Sequence, residues 1–170
     1  DAGALASVDR RGLLIAPASL AAIPVVAPPP LPLPRWREVA AALARESARR
    51  GRPAPPPAGL VLGGETTVTL RGQGRGGRNQ ELALAAAIAL DGLPGVQLMA
   101  LATDGNDGPT DAAGALVTGE TAARARALGL DPRAFLADNA AYTFFARTGE
   151  LIKTGPTNTN VNDLLMILTY

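Results

Sequence analysis

The spacing of apolar positions changes several times along this chain, and each change predicts an element. Between residues 35 and 50, Trp36, Val39 and Leu43 recur at helical spacing with Ala40 and Ser47 beside them. Arginines crowd the last turn, where a helix dipole favours cations. Gly51 ends that helix, and Pro53 to Pro57 lead into Leu60-Val61-Leu62, a buried strand closed by a Gly63-Gly64 turn. The β-branched run 66–70 predicts a second, half-buried strand. Strong helix formers occupy 79–90, with Leu82, Leu84 and Ile88 available to pack and Asn79 placed to cap. Residues 96–102 form a continuous apolar run of strand length, compatible with the middle of a sheet covered on both faces. Helices are expected around 120–128, 132–138 and 142–148, the last with Tyr142, Phe144 and Phe145 mostly in the core, and 163–168 closes the chain as a hydrophobic strand. This alternation predicts an α/β fold, a layered sheet with helices on both faces.

Residues 1–34 are a different material. Arg10-Arg11 and the apolar residues after them have the outline of a secretory leader, but Pro17 and Pro24 interrupt the run and it is too short to cross a bilayer as a helix. Prolines from Pro28 to Pro34 impose extended backbone and read as a stiff connector. Residues 1–34 are therefore expected to be an arm, or the remnant of a preceding domain, and 35–170 a single α/β domain.

Composition narrows the chemistry. The chain has 170 residues, enough for one domain with a core, and 16 basic against 15 acidic residues, which gives no bulk attraction for nucleic acid. Lys153 is the only lysine, and the arginine bias discounts each arginine slightly as a functional signal. Cysteine and histidine are absent, so acid–base or metal chemistry must rest on carboxylates, the lysine, tyrosines or another segment.

The candidate chemistry lies in three polar loops. The first joins the expected strand at 66–70 to the helix at 79–90, and carries Gly72, Gly74, Gly76 and Gly77 among Arg71, Arg75 and Arg78. Glycines let backbone turn and a ligand approach, the first amides of a helix favour an anion, and guanidinium forks match phosphate or carboxylate oxygens. The same composition also suits a solvated connection, and the loop matches neither a Walker A sequence nor a GxGxxG fingerprint. The second loop, just past residue 102, holds Asp104, Asp107 and Asp111, hard oxygen ligands suited to hydrated magnesium, though Asp and Asn before Gly also make tight turns and caps. The third, 154–163, is dense in Thr and Asn side chains suited to a hydroxy acid or phosphate, or to local turns.

Gly63-Gly64-Glu65-Thr66-Thr67-Val68, then 74–81, 104–115 and 154–163, in this order and spacing, resemble the C-terminal MOFRL domain of the glycerate 2-kinase family, often annotated hydroxypyruvate reductase. The resemblance is strong over 59–170, fair over the helix at 35–52, and fades in 1–34. It implies a cytoplasmic two-domain enzyme with a Rossmann-like N-terminal domain and an active site in the cleft between the domains. There ATP with Mg2+ would phosphorylate D-glycerate to 2-phosphoglycerate, with no nucleic acid or membrane partner and a homodimer left open. Carried onto this sequence, Arg78 becomes the catalytic cation, opposite a lysine of the N-terminal domain. Glu65, Gly72, Gly74, Arg75, Gly76, Gly77 and Asn79 would bind phosphate or nucleotide. Thr157, Asn160 and Asn162 would bind substrate, and Asp104, Asp107 and Asp111 the metal. Asn158 stands where the family's loop usually has glycine. Two other readings stay open, an NAD(P)H-dependent hydroxypyruvate reductase and a non-catalytic anion-binding module.

Overall fold

The computed structural model describes residues 33–65 and 67–170, with the short segments 7–8, 14–15 and 21–22. In chain order these are β1 (Ser7–Val8), β2 (Leu14–Ile15), β3 (Ala21–Ala22), α1 (Leu33–Arg50), β4 (Ala58–Gly64), α2 (Arg78–Ala89), β5 (Val96–Ala102), β6 (Gly114–Thr118), α3 (Thr121–Ala127), α4 (Pro132–Ala137), α5 (Ala141–Thr148), β7 (Leu151–Ile152) and β8 (Asp163–Thr169). β1 and β2 form an antiparallel pair. The other six strands make one sheet in the order β3-β4-β8-β5-β6-β7, antiparallel throughout except where β3 joins β4. Most of the proline arm lies outside the described residues, as does Thr66; Leu33 and Pro34 already belong to α1, whose first turn has no amide that a proline would deprive of a partner.

The layered α/β class stands, and the helices sit on one face among the described residues. α1 and α2 pack on each other and on the central strands, and α3, α4 and α5 each contact α2. Burial along β5 and β8 alternates accordingly: Val96, Leu98, Ala100 and Ala102, with Asp163, Leu165, Ile167 and Thr169, are buried, while the alternate positions are only partly covered. The apolar composition of 96–102 thus reflects both faces being apolar, with only one roofed by helices.

α2 is the centre of the molecule. Eight of its 12 residues are buried, which reflects an alanine-rich sequence able to accept neighbours on every side. α1 meets it through Trp36, Ala40, Ala41 and Ala44, while Val39, assigned to this face from spacing, is 40% exposed. Phe144 and Phe145 are fully buried and meet edge to face at 5.1 Å.

Strand β6 escapes a reading of β-propensity. β6 contains Gly114, where a Cβ would sit 1.9 Å from the Ala100 carbonyl oxygen, so close strand packing selects a residue that strand statistics disfavour. Conversely, the described part of the strand expected at 66–70, residues 67–70, is not a strand, and the Gly63-Gly64 turn does not form. β4 runs straight through Gly64, paired to Asp163, and Trp36 packs so closely on Gly64 that a Cβ there would meet its ring at 3.1 Å.

Residues 69–72 hang instead on one asparagine. Asn139, nearly buried and left-handed at φ 55°, accepts from the amides of Arg71 and Gly72 at 2.6 and 2.9 Å. Its Nδ2 donates to the Thr69 carbonyl and to Glu81 at 3.3 and 2.8 Å. A side-chain amide thus does the job of a neighbouring strand, and β-branched composition yields to it. The start of α2 is held similarly. Gly77 is the N-cap rather than Asn79, and it offers no side chain; the Asp107 carboxylate accepts from the amides of Asn79 and Gln80 at 3.1 and 2.8 Å.

Two stability predictions follow from these contacts. Asn139→Ala removes four hydrogen bonds and forces alanine into left-handed backbone, so urea unfolding should show a loss of about 2–4 kcal/mol; a loss under about 0.5 kcal/mol would mean water replaces the amide fully. Asp107→Ala should cost about 1–3 kcal/mol and speed hydrogen exchange at the Asn79 and Gln80 amides, and unchanged protection at those two amides would refute the capping role.

Candidate active site

Strand direction decides where the polar loops meet. β4 and β5 both run antiparallel to β8, and Gly64 and Ala102 both lie opposite Asp163. The carboxyl ends of β4 and β5 and the start of β8 therefore share one sheet edge, from which 65–77 and 103–113 depart and at which 153–162 arrives. Arg78, the first residue of α2, sits at this edge. Its Nε donates to Asp163 Oδ2 at 2.7 Å and its Nη2 to Oδ1 at 2.9 Å, a two-pronged pair. The Asp163 side chain is 7% exposed and that of Arg78 29%. The bond to Asp163 raises the Arg78 pKa above its ordinary value despite burial, with added attraction from Asp163, Asp107 and Glu65.

The second and third loops are stitched together. Thr103 gives its amide to the Asn162 carbonyl at 3.1 Å and its hydroxyl to the same oxygen at 2.7 Å, and that hydroxyl accepts from Val161 N at 2.8 Å. Thr157 N donates to Asp104 O at 3.1 Å, and the Thr157 hydroxyl donates to the Thr103 carbonyl. Gly105 lies so close to Gly155 that a Cβ would meet the Gly155 carbonyl oxygen at 2.1 Å. Asn158 and Asn162 are left-handed at φ 59° and 68°, so Asn158 does adopt backbone that suits glycine. Asn160 Oδ1 accepts from Asn162 N at 2.9 Å, and both of these side chains remain exposed.

The three aspartates expected to hold magnesium part company. Asp107 is fully buried with both oxygens bonded to α2 amides, and burial pushes its carboxyl above the usual range against those bonds. Asp111 is exposed and bonded to Lys153 Nζ at 2.9 Å and the Tyr142 hydroxyl at 2.7 Å; Lys153 first, then Tyr142, lower its pKa to about 2. Asp104 accepts from Asn106 N at 3.0 Å in its own turn. Among the described residues no group of three or more Asp, Glu, His or Cys is placed to hold a metal ion.

The glycine loop also differs from the anion cradle expected of it. A Cβ on Gly72 would lie 2.3 Å from Asp138 Oδ1, on Gly74 2.5 Å from the Ala140 Cβ, and on Gly77 2.3 Å from the Asp107 carboxyl carbon. None of these has positive φ. Glycine is required because the protein's own residues press against this backbone, and the helix terminus is already filled by an internal carboxylate. Arg75 donates to the Pro109 carbonyl at 3.3 Å and stacks over the Tyr142 ring at 4.4 Å, with Lys153 Nζ 5.6 Å from the same ring. Tyr142 is thus the platform of a surface cation cluster rather than core.

The structure therefore brings Arg78, Glu65, Asp104 and 157–162 to one edge, and gathers Arg75 and Asp111 into a separate cluster with Tyr142 and Lys153. Sequence reasoning took Asn139 as a helix boundary and Asp163 as the end of the third loop, and gave neither a role in the site. Their signals were a carboxylate opening a buried hydrophobic strand, which needs a partner, and an asparagine past a helix end. A cavity of about 440 Å³ opens elsewhere, between α1, α2, α4 and 69–71, lined by Arg45, Arg71, Glu81 and Arg133 over an alanine-rich floor. It does not include the residues of the sheet edge.

Residues 58–163 match the MOFRL family. The D-glycerate 2-kinase of Thermotoga maritima is 52% identical over 126 residues, which cover 74% of this chain and 30% of that protein. The glycerate 2-kinase of Pyrococcus horikoshii is 46% identical over 127 residues, 74% of this chain and 29% of that protein. The crystal structure of glycerate kinase from Thermotoga maritima superposes with a TM-score of 0.80 at 48% identity, over 83% of this chain and 34% of that one. The chain thus spans about a third of the length of the relatives it matches. By the extent of the match and by the structural agreement, the chain belongs to the MOFRL family.

Proposed function

We propose that this chain forms the C-terminal part of a glycerate 2-kinase, an enzyme that transfers the γ-phosphoryl of ATP to the 2-hydroxyl of D-glycerate. The observation that carries the proposal is Arg78. It is a partly exposed guanidinium fixed at a sheet edge between the loops that start at Glu65 and Thr103, in a chain similar to glycerate 2-kinases. Its Nη1 has no hydrogen bond among the described residues. In the transfer, the 2-hydroxyl oxygen of glycerate bonds to phosphorus as the bond to the ADP oxygen breaks, and the hydroxyl proton is released. Negative charge spreads over the phosphoryl oxygens, and a fixed cation there stabilises it.

The substrate side is assigned to Asn160 and Asn162, whose amide groups can meet the carboxylate and hydroxyls of glycerate; Thr157 shapes the loop, its hydroxyl being given to backbone. Magnesium fits one contact rather than three. Asp104 keeps an oxygen outside its turn, and a single carboxylate suits an ion that arrives with nucleotide and retains its waters. Bound there, magnesium would offset phosphate charge. The N-terminal Rossmann-like domain is proposed to close the cleft and to supply the opposing cation, with 1–34 leading from it. Among the described residues no helix is long and apolar enough to cross a membrane.

The reductase reading needs ligand backbone contact at the glycine loop, and Asp138, Ala140 and Asp107 already occupy that approach. NADPH fluorescence should therefore stay unchanged on titration with the protein, and a saturable change would support the reductase instead. For the kinase, the protein at its full natural length should convert ATP and D-glycerate to 2-phosphoglycerate, identified by 31P NMR. Arg78→Lys, which keeps charge but loses the fork, should lower kcat by about 10²–10³ with circular dichroism unchanged. Activity within threefold of wild type would remove Arg78 from the chemistry.

A further inference from the structure

We infer that Asp163 is the positioning residue of the proposed transfer, holding Arg78 by one edge so that the opposite edge of the same guanidinium faces the phosphoryl group. The inference rests on the kinase reading above and adds a residue to it.

A guanidinium carries five N–H donors in a rigid plane. Asp163 takes the edge formed by Nε and Nη2, at 2.7 and 2.9 Å. The end-on edge, one proton of Nη1 and the second proton of Nη2, has no partner among the described residues, nor has the remaining Nη1 proton. Two planar contacts fix both the position of the fork and its tilt, which a single contact or a free side chain does not. An arginine already ordered in this way loses little rotamer freedom when it meets an oxyanion, so its charge is in place before the transition state forms.

Asp163 is itself unable to follow a ligand. It is the first residue of β8, paired with Gly64 of β4 on one side and Ala102 of β5 on the other, and it is nearly buried. If a phosphate drew the whole guanidinium away, a buried carboxylate would be left without its counter-ion, which is costly. The pair therefore persists in the loaded state, and two anions share one cation from different edges.

The test uses the protein at its full natural length. Asp163→Asn, which keeps the shape but not the charge, should lower kcat for 2-phosphoglycerate formation at least tenfold while KM for ATP and D-glycerate stays within threefold. The double variant Asp163→Asn with Arg78→Lys should be no slower than Arg78→Lys alone, because Asp163 acts only through Arg78. Losses that multiply, or a single variant within threefold of wild type, would overturn the inference. If the wild type forms no 2-phosphoglycerate the kinase reading fails separately. NMR of the arginine Nε–H groups in wild-type protein then decides the positioning role, and it also serves if Asp163→Asn does not fold. The Arg78 resonance, assigned by its loss in Arg78→Lys, should be protected from exchange and stay in place as inorganic phosphate is added. Its displacement by phosphate would show that the pair breaks, and would refute the proposal.

Discussion

A carboxylate buried beneath the first turn of α2 is the constraint on which the site depends. α2 is covered by neighbours on nearly every side, so its opening amides have no route to water, and unbonded they would each carry a full desolvation penalty. Asp107 meets that need from the segment after β5, and in doing so ties the helix to the sheet edge. Gly77 must then be glycine, since a Cβ would collide with the carboxyl it admits. Arg78, the next residue, is delivered to the edge by the same contact.

Charges in this region are divided between burial and exposure in a consistent way. Asp107 and Asp163 are buried and saturated by amides or by a guanidinium, whereas Asp111 and Lys153 are exposed and share Tyr142. A buried carboxylate whose two oxygens both accept from amides or a guanidinium serves the fold as a structural anion. Exposed pairs such as Asp111–Lys153 contribute little to stability, so the cation cluster with Arg75 is a surface feature that the fold tolerates rather than requires.

Small residues set the distances within which all this occurs. Ala40, Ala41 and Ala44 of α1 and Ala83, Ala86 and Ala87 of α2 are buried, allowing the two helix backbones to approach closely. Gly114 lets β6 lie against β5, and Gly105 lets the loops after β5 and before β8 touch. The large core side chains, Phe144 and Phe145 among them, fill what remains.

What the sequence determined by itself was local. Apolar periodicity and helix formers marked α1, α2, β5 and β8 to within about two residues, since the 3.6 and 2.0 residue periods are written directly into side-chain order. The motifs of the three loops identified the family, and Asn158 was legible as a residue able to hold left-handed backbone. Tertiary structure alone decided which partner each polar group takes. Nothing near Asp107 in the chain says that its carboxylate belongs to a helix 28 residues earlier, nor does Arg78 announce Asp163 across 85 residues. The residues at 67–70 have strand composition, yet Asn139 holds this stretch as a loop. Propensity reports the average preference of a residue, whereas hydrogen-bond saturation in a buried setting depends on which distant segments meet, and that is settled only when the sheet is assembled.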